Sequence, residues 1–390
     1  MNRICIKNGR LVLPDRIEKL NIIAEDGKIT DICDFVPKDC AVIDAKGKYV
    51  TPGLIELHAH GAGGSDFCDS TPEAFETVIK THLKHGATLV CPTTVSCSKD
   101  KLMGLFDVYR TAKSGRYGAY MHKLHLEGPF LNISMCGAQR PDIIRSPLPD
   151  EVDAIFGTAA DIIGRIGCAP EIDCIDYLAK KSVENGIMLS IAHSGATAEE
   201  TKRAMDMGFN HVTHLYSATT TVRKINQRVC AGILEAAYLY DDINIELIGD
   251  GRHVARETMQ MALKIKSSDK INLTSDSMRA AGQEGVSESY LGDICPENRV
   301  IIDDGVAKLP DMSVYAGSIA TADRMLGNAV LNYGISVTDA VNMLSATPAR
   351  IIGAKSKGII RKGNDCDIVI WNENFTVSNI ITKGEVLDEI

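Results

Sequence analysis

The chain has 390 residues, 45% apolar and 24% charged, which is enough to bury a large core and unlike the composition of a disordered protein. A net charge of −9 argues against a nucleic-acid partner, whose phosphate backbone calls for clustered Lys and Arg. No apolar run reaches the roughly 18 residues of a membrane span, no export signal opens the sequence, and twelve scattered cysteines without a Cys-x-x-Cys pair are expected as free thiols in a reducing cytoplasm.

Between residues 4 and 50, short alternating runs such as Ile4-Cys5-Ile6 and Asn21-Ile22-Ile23-Ala24 are broken by Asn8-Gly9 and Asp26-Gly27, dipeptides that favour hairpin turns. The same pattern returns from Gly358-Ile359-Ile360 to Asp367-Ile368-Val369-Ile370-Trp371. A few isolated strands are marginal. The two ends, 1–52 and 353–390, are therefore expected to form one small β-sandwich domain, with Trp371 packed inside it, beside a central domain of residues 53–352.

In that central domain, extended apolar runs alternate with helical patterns. Strands are expected at 54–60, 87–94, 123–128, 163–170, 187–194, 211–218, 244–251 and 271–277, with typical helices at 72–85 and 198–207. Eight strands separated by helix-sized segments suggest an α/β fold, a parallel (β/α)8 TIM barrel.

Functional groups of such a barrel gather at the C-terminal ends of its strands. Strand one ends in His58-Ala59-His60, whose two imidazoles share one face because side chains alternate along a strand. Strand three ends in Glu127, strand five in His193, strand six in His214 and strand eight in Asp276. Four histidines and two carboxylates at one rim form a metal site that lowers the pKa of bound water. Asp276, beside the metal, is the expected general base, taking a proton from water and returning it to a leaving nitrogen. Glu127 can bridge two cations, and spacing does not choose between one and two. The cofactor is a divalent cation, zinc first, with iron, manganese and nickel as alternatives.

Other residues have plainer explanations. His125 shares the parity of Glu127 one layer lower and is expected as a satisfied core histidine, whereas His82, His85, His122 and His211 are expected at the surface. Cys91 and Cys97 flank the end of strand two and are expected as small buried hydrophobes. Ser194 and Ser217 neighbour histidines, but no Gly-x-Ser-x-Gly elbow accompanies them.

The stretch from Pro52 to Gly61 resembles the opening of the amidohydrolase superfamily. Within it, His125-Leu126-Glu127-Gly128-Pro129-Phe130, Ala192-His193-Ser194-Gly195, Thr213-His214-Leu215-Tyr216, Asp250-Gly251-Arg252-His253 and Ser275-Asp276-Ser277-Met278 resemble N-acetylglucosamine-6-phosphate deacetylases over nearly the whole chain. The resemblance implies metal-dependent removal of an N-acetyl group from an amino-sugar phosphate, in a homodimer whose partner subunit helps hold the phosphate. Carried over by position, Glu127, His193 and His214 hold the main metal, His58 and His60 a second, and Asp276 is the catalytic acid and base. Asp250, Gly251, His253, Tyr315, Ala316 and Gly317 line the sugar site.

Three departures fall where that family holds its substrate. Gly137-Ala138-Gln139 stands where the resemblance calls for Gly-Ala-His, and an amide cannot carry the charge of a histidine. Ser217-Ala218 stands where it calls for Asn before Ala, and an Arg-Glu-Pro-Gly segment is missing, with Arg223, Lys224 and Arg228 nearby and none assigned. Retained hydrolytic groups with altered recognition positions suggest a changed ligand. The alternatives are another amidohydrolase reaction, on a cyclic amide or a ring amine, and a non-catalytic sugar sensor. A sensor has no need of Asp276 beside a metal.

Overall fold

The computed structural model describes residues 3–387; Met1, Asn2 and residues 388–390, assigned above to the β domain, lie outside the described residues. Eight parallel strands form the central sheet in sequence order: Leu54–Ala59, Ala87–Thr94, Leu124–Glu127, Ile163–Cys168, Met188–Ile191, Phe209–Val212, Asn244–Ile248 and Ile271–Thr274. The sheet closes on itself where the Asp276 N–H donates to the His58 carbonyl at 3.1 Å and the His60 N–H to the Ser277 carbonyl at 2.8 Å. The expected barrel is present. Strands five, six and eight stop short of their expected ends, because residues such as His193, His214 and Asp276 turn the chain out of the ladder with φ of 45°, 29° and 48°.

Helices stand where capping chemistry permits. Thr71 accepts from the Ala74 N–H ahead of Pro72–Lys84, and Thr197 with Glu200 forms a capping box ahead of Ala198–Asp206. After strand eight comes an antiparallel meander that sequence periodicity had not revealed: Glu288–Tyr290, Arg299–Asp303, Val306–Lys308 and Tyr315–Ser318. Its last strand is anchored to the barrel rim by the Ser318 N–H, which donates to the Asp276 carbonyl at 2.8 Å.

The chain ends do pair. Ile368–Trp371 runs antiparallel to Tyr49–Pro52 within a six-stranded sheet. This sheet shares an apolar core, including Leu11, Ile368 and Ile370, with a four-stranded sheet that contributes Ile4, Ile6 and Ile22. Asp26-Gly27 makes the expected hairpin between Asn21–Glu25 and Lys28–Cys33. Asn8-Gly9 does not. It carries the chain from one sheet to the other, and a Cβ on Gly9 would meet Val50 Cγ2 at 2.4 Å.

Trp371 also departs from expectation. Successive side chains of a strand face opposite sides, so Ile368 and Ile370 enter the sandwich core while Val369 and Trp371 join the barrel's cluster. Its indole N–H donates to Thr51 Oγ1 at 2.8 Å. His82 and His211 are buried rather than exposed, because the inner face of the first helix and the barrel lumen both turn inward; each meets a serine hydroxyl, Ser277 at 3.2 Å and Ser190 at 2.9 Å. His85 and His122 are half-buried. Cys91 and Cys97 are core residues, and all twelve cysteines are free. Among the described residues no helix is long and apolar enough to cross a membrane.

Candidate active site

The strand ends bring the proposed metal residues together at one mouth of the barrel. His58 and His60, two apart on strand one, point the same way, their Nε2 atoms 3.2 Å apart. Glu127, from strand three, lies at the centre. Its Oε1 is 2.9 Å from His214 Nε2, 3.3 Å from His193 Nε2 and 3.5 Å from His58 Nε2, and its Oε2 is 3.3 Å from His60 Nε2. Two groups, His58 with His60 and Glu127, and Glu127 with His193 and His214, each keep their donor atoms within 4.8 Å of one another. Asp276 Oδ1 is 3.2 Å from His60 Nε2 and 3.4 Å from His58 Nε2.

The hydrogen bonds behind these imidazoles decide whether a cation fits. His193 Nδ1 donates to the Met135 carbonyl at 2.9 Å and His214 Nδ1 to the Ser217 carbonyl at 3.1 Å. A carbonyl only accepts, so each proton resides on Nδ1 and each Nε2 presents a lone pair. Those lone pairs face an anionic oxygen of Glu127 that also only accepts. Facing acceptors at hydrogen-bond distance call for positive charge between them, and the donor set suits a divalent cation.

The electrostatics agree. Burial disfavours a charge on His58, yet Glu127, Glu246 and Asp276 around it raise its pKa well above the ordinary imidazole value. Burial likewise opposes charge on His60, and hydrogen bonds to Asp276 and Glu127 carry its pKa up to about 9. Burial raises the Asp276 carboxyl, but His58 and His60 more than offset this and leave it below its usual range. A site that stabilises extra positive charge in this way is prepared for a proton or a metal.

Beside the cluster opens a cavity of about 350 Å³. Of the residues assigned to substrate, Ala138, Gln139, Ser217, Ala218, His253, Tyr315 and Gly317 line it. Asp250, Gly251 and Ala316 do not. Asp250 lies behind the wall, accepting from His253 Nδ1 at 2.8 Å, Gly251 turns there at φ 84°, and Ala316 packs into the core of the meander. Among the described residues no Lys or Arg lines it; Arg223, Lys224 and Arg228 sit on a short hairpin and are not part of the wall.

Sequence reasoning missed Tyr216 and the meander residues Leu291, Ser313 and Val314 in the cavity wall. It also missed Glu246 and Arg165, buried beneath the cluster. Their signal was a lone charged side chain in each of two otherwise uncharged strands, Asn244–Ile248 and Ile163–Cys168.

Residues 49–387 match the model of the Amidohydrolase family. An N-acetylglucosamine-6-phosphate deacetylase of Lysinibacillus sphaericus is 29% identical over 377 residues, covering 95% of this chain and 94% of that one. One from Haemophilus influenzae is 29% identical over 345 residues, covering 88% and 87%. The crystal structure of N-acetylglucosamine-6-phosphate deacetylase from Pasteurella multocida superposes with a TM-score of 0.91 at 26% identity, covering 99% of both chains.

Proposed function

Because the chain belongs to the Amidohydrolase family, we propose that it hydrolyses the N-acetyl group of N-acetylglucosamine 6-phosphate, releasing acetate and the free amino-sugar phosphate. The observation that carries this reading is the meeting of Glu127, His193, His214 and Asp276, remote in sequence, at the wall of one cavity. The two relatives and the solved structure named above support the substrate class. None of them favours the changed ligand that Gln139 and Ser217 suggested.

In this reading Glu127, His193 and His214 hold the main cation, and His58 and His60 with Glu127 a second. Zinc suits their imidazole and carboxylate donors. The bound cation supplies Lewis-acid activation of water and of the acetyl carbonyl. Asp276 receives the proton that water loses as its oxygen bonds to the acetyl carbon, and delivers it to the sugar nitrogen as the C–N bond breaks. His253, fixed by Asp250, lines the cavity and would meet the sugar there. The working form is a homodimer in the cytoplasm, a second copy helping to hold the phosphate.

Acetate release by zinc-loaded protein tests the reading on N-acetylglucosamine 6-phosphate, its galactosamine isomer and the unphosphorylated sugar. The first is expected to turn over best. Absence of acetate from all three, with metal bound, would remove the proposal.

A further inference from the structure

Glu246, on barrel strand seven, is fully buried and takes no part in the proton transfer described above. Its Oε1 accepts from His58 Nδ1 at 2.8 Å and lies 3.3 Å from the backbone N–H of His214. Its Oε2 accepts from a guanidinium N–H of Arg165 at 2.7 Å, and Arg165 donates with its other terminal nitrogen to His125 Nδ1 at 2.9 Å. One carboxylate thus touches a member of each donor group from below.

The consequence for His58 follows from donor and acceptor count. An ionised carboxylate only accepts, so His58 Nδ1 carries a proton, and the nitrogen left to hold a cation is Nε2, which faces the space shared with His60 and Glu127. If the proton moved to Nε2, it would occupy that space. A buried ion pair such as Arg165–Glu246 is a poor source of stability compared with the branched apolar side chains that usually fill a barrel interior. Its presence directly beneath a candidate ligand calls for another role.

We propose that Glu246, held by Arg165, is the positioning residue that makes His58, His60 and Glu127 a working second cation site. This rests on the cation reading given above, and its test separates the two. Metal-free protein is titrated with zinc, and bound metal is counted by elemental analysis. The His58 tautomer is read from the nitrogen chemical shifts of its imidazole.

The unmodified chain should bind two ions, with the His58 proton on Nδ1. In Glu246→Gln the amide can present either a donor or an acceptor to His58, so the second ion should be lost or bound at least ~10-fold more weakly, as when other partners behind metal ligands are removed. The first ion should stay, and the His58 tautomers should mix. Because Glu246→Gln leaves Arg165 buried without its counter-charge, Arg165→Met/Glu246→Gln is measured alongside it and should show the same selective loss.

Retention of both ions at unchanged affinity in either folded variant, with the proton still on His58 Nδ1, overturns the proposal. A single ion in the unmodified chain overturns it, together with the second-cation assignment, while leaving the main cation at Glu127, His193 and His214 intact. No ion at all overturns both.

Discussion

Gln139 donates from Nε2 to Glu127 Oε2 at 2.8 Å, while the Ser96 N–H donates to Gln139 Oε1 at 2.8 Å. The backbone donor fixes which end of the amide faces inward, so a neutral side chain holds the central carboxylate where the resembling family places a histidine. Removing a hydrogen bond to a charged group costs about 1.5–3 kcal/mol. Gln139→Ala should therefore lower kcat/KM by roughly 10- to 100-fold, with part of the loss appearing as weaker zinc binding. An unchanged metal affinity and rate would show that Glu127 does not need this support.

Asp276 lies within 3.4 Å of both strand-one imidazoles and faces the cavity. Asp276→Asn keeps the shape and loses the base. Its kcat should drop by about 10²- to 10⁴-fold, while elemental analysis finds the metal content retained. Full activity with metal bound would refute the assigned role.

Chelation should affect both rate and stability. With the cation removed, the Glu127 carboxylate between His193 and His214 loses its counter-charge, and a ligand at 100 times its Kd contributes about 2.7 kcal/mol to the folded state. A scan of protein dialysed against a chelator should show a lower Tm, restored by zinc, together with loss and recovery of acetate release. An identical Tm with and without zinc would contradict the site.

Acid should destabilise the fold partly through His82. Burial, assisted by nearby His85, lowers its pKa from 6.5 to about 4. Above pH 6.5 the group is neutral in both states and has no effect. As the pH falls below 6.5 the unfolded chain takes up a proton that the folded chain refuses, so stability falls until about pH 4. The full span corresponds to roughly 3 kcal/mol at about 1.4 kcal/mol per pKa unit. Denaturant titrations between pH 7 and 4 should show this slope, and His82→Gln should flatten it.

Trp371 ties the C-terminal strand to the barrel. It is fully buried, and a Cβ added at Gly86, whose φ is 91°, would come within 2.5 Å of its ring. Trp371→Ala should cost about 3–5 kcal/mol, and Gly86→Ala should also destabilise. Chemical denaturation measures both. A cost below about 1 kcal/mol for Trp371→Ala, small beside the usual value for a buried aromatic, would mean that the indole is not structurally required.

Features that depend on neighbours along the chain were legible in the sequence. Alternation placed His58 and His60 on one face, strand and helix periods revealed the eightfold repeat, and the barrel rule picked Glu127, His193, His214 and Asp276 from their strand ends. Turn chemistry was a weaker guide. Asp26-Gly27 made its hairpin, but Asn8-Gly9 did not, because the strand following Gly9 belongs to another sheet.

By itself, then, the sequence determined the repeat, the candidate donor residues and the rim they occupy, since side-chain spacing on strands and helices is a local property of the backbone. Only the tertiary structure decided what stands behind each donor. Glu246 meets His58 across 188 positions and Ser96 meets Gln139 across 43, and the meander that walls the cavity is anchored to the end of strand eight. Such pairings depend on barrel closure and strand register, which arise when distant segments pack, and no periodicity within one segment encodes them.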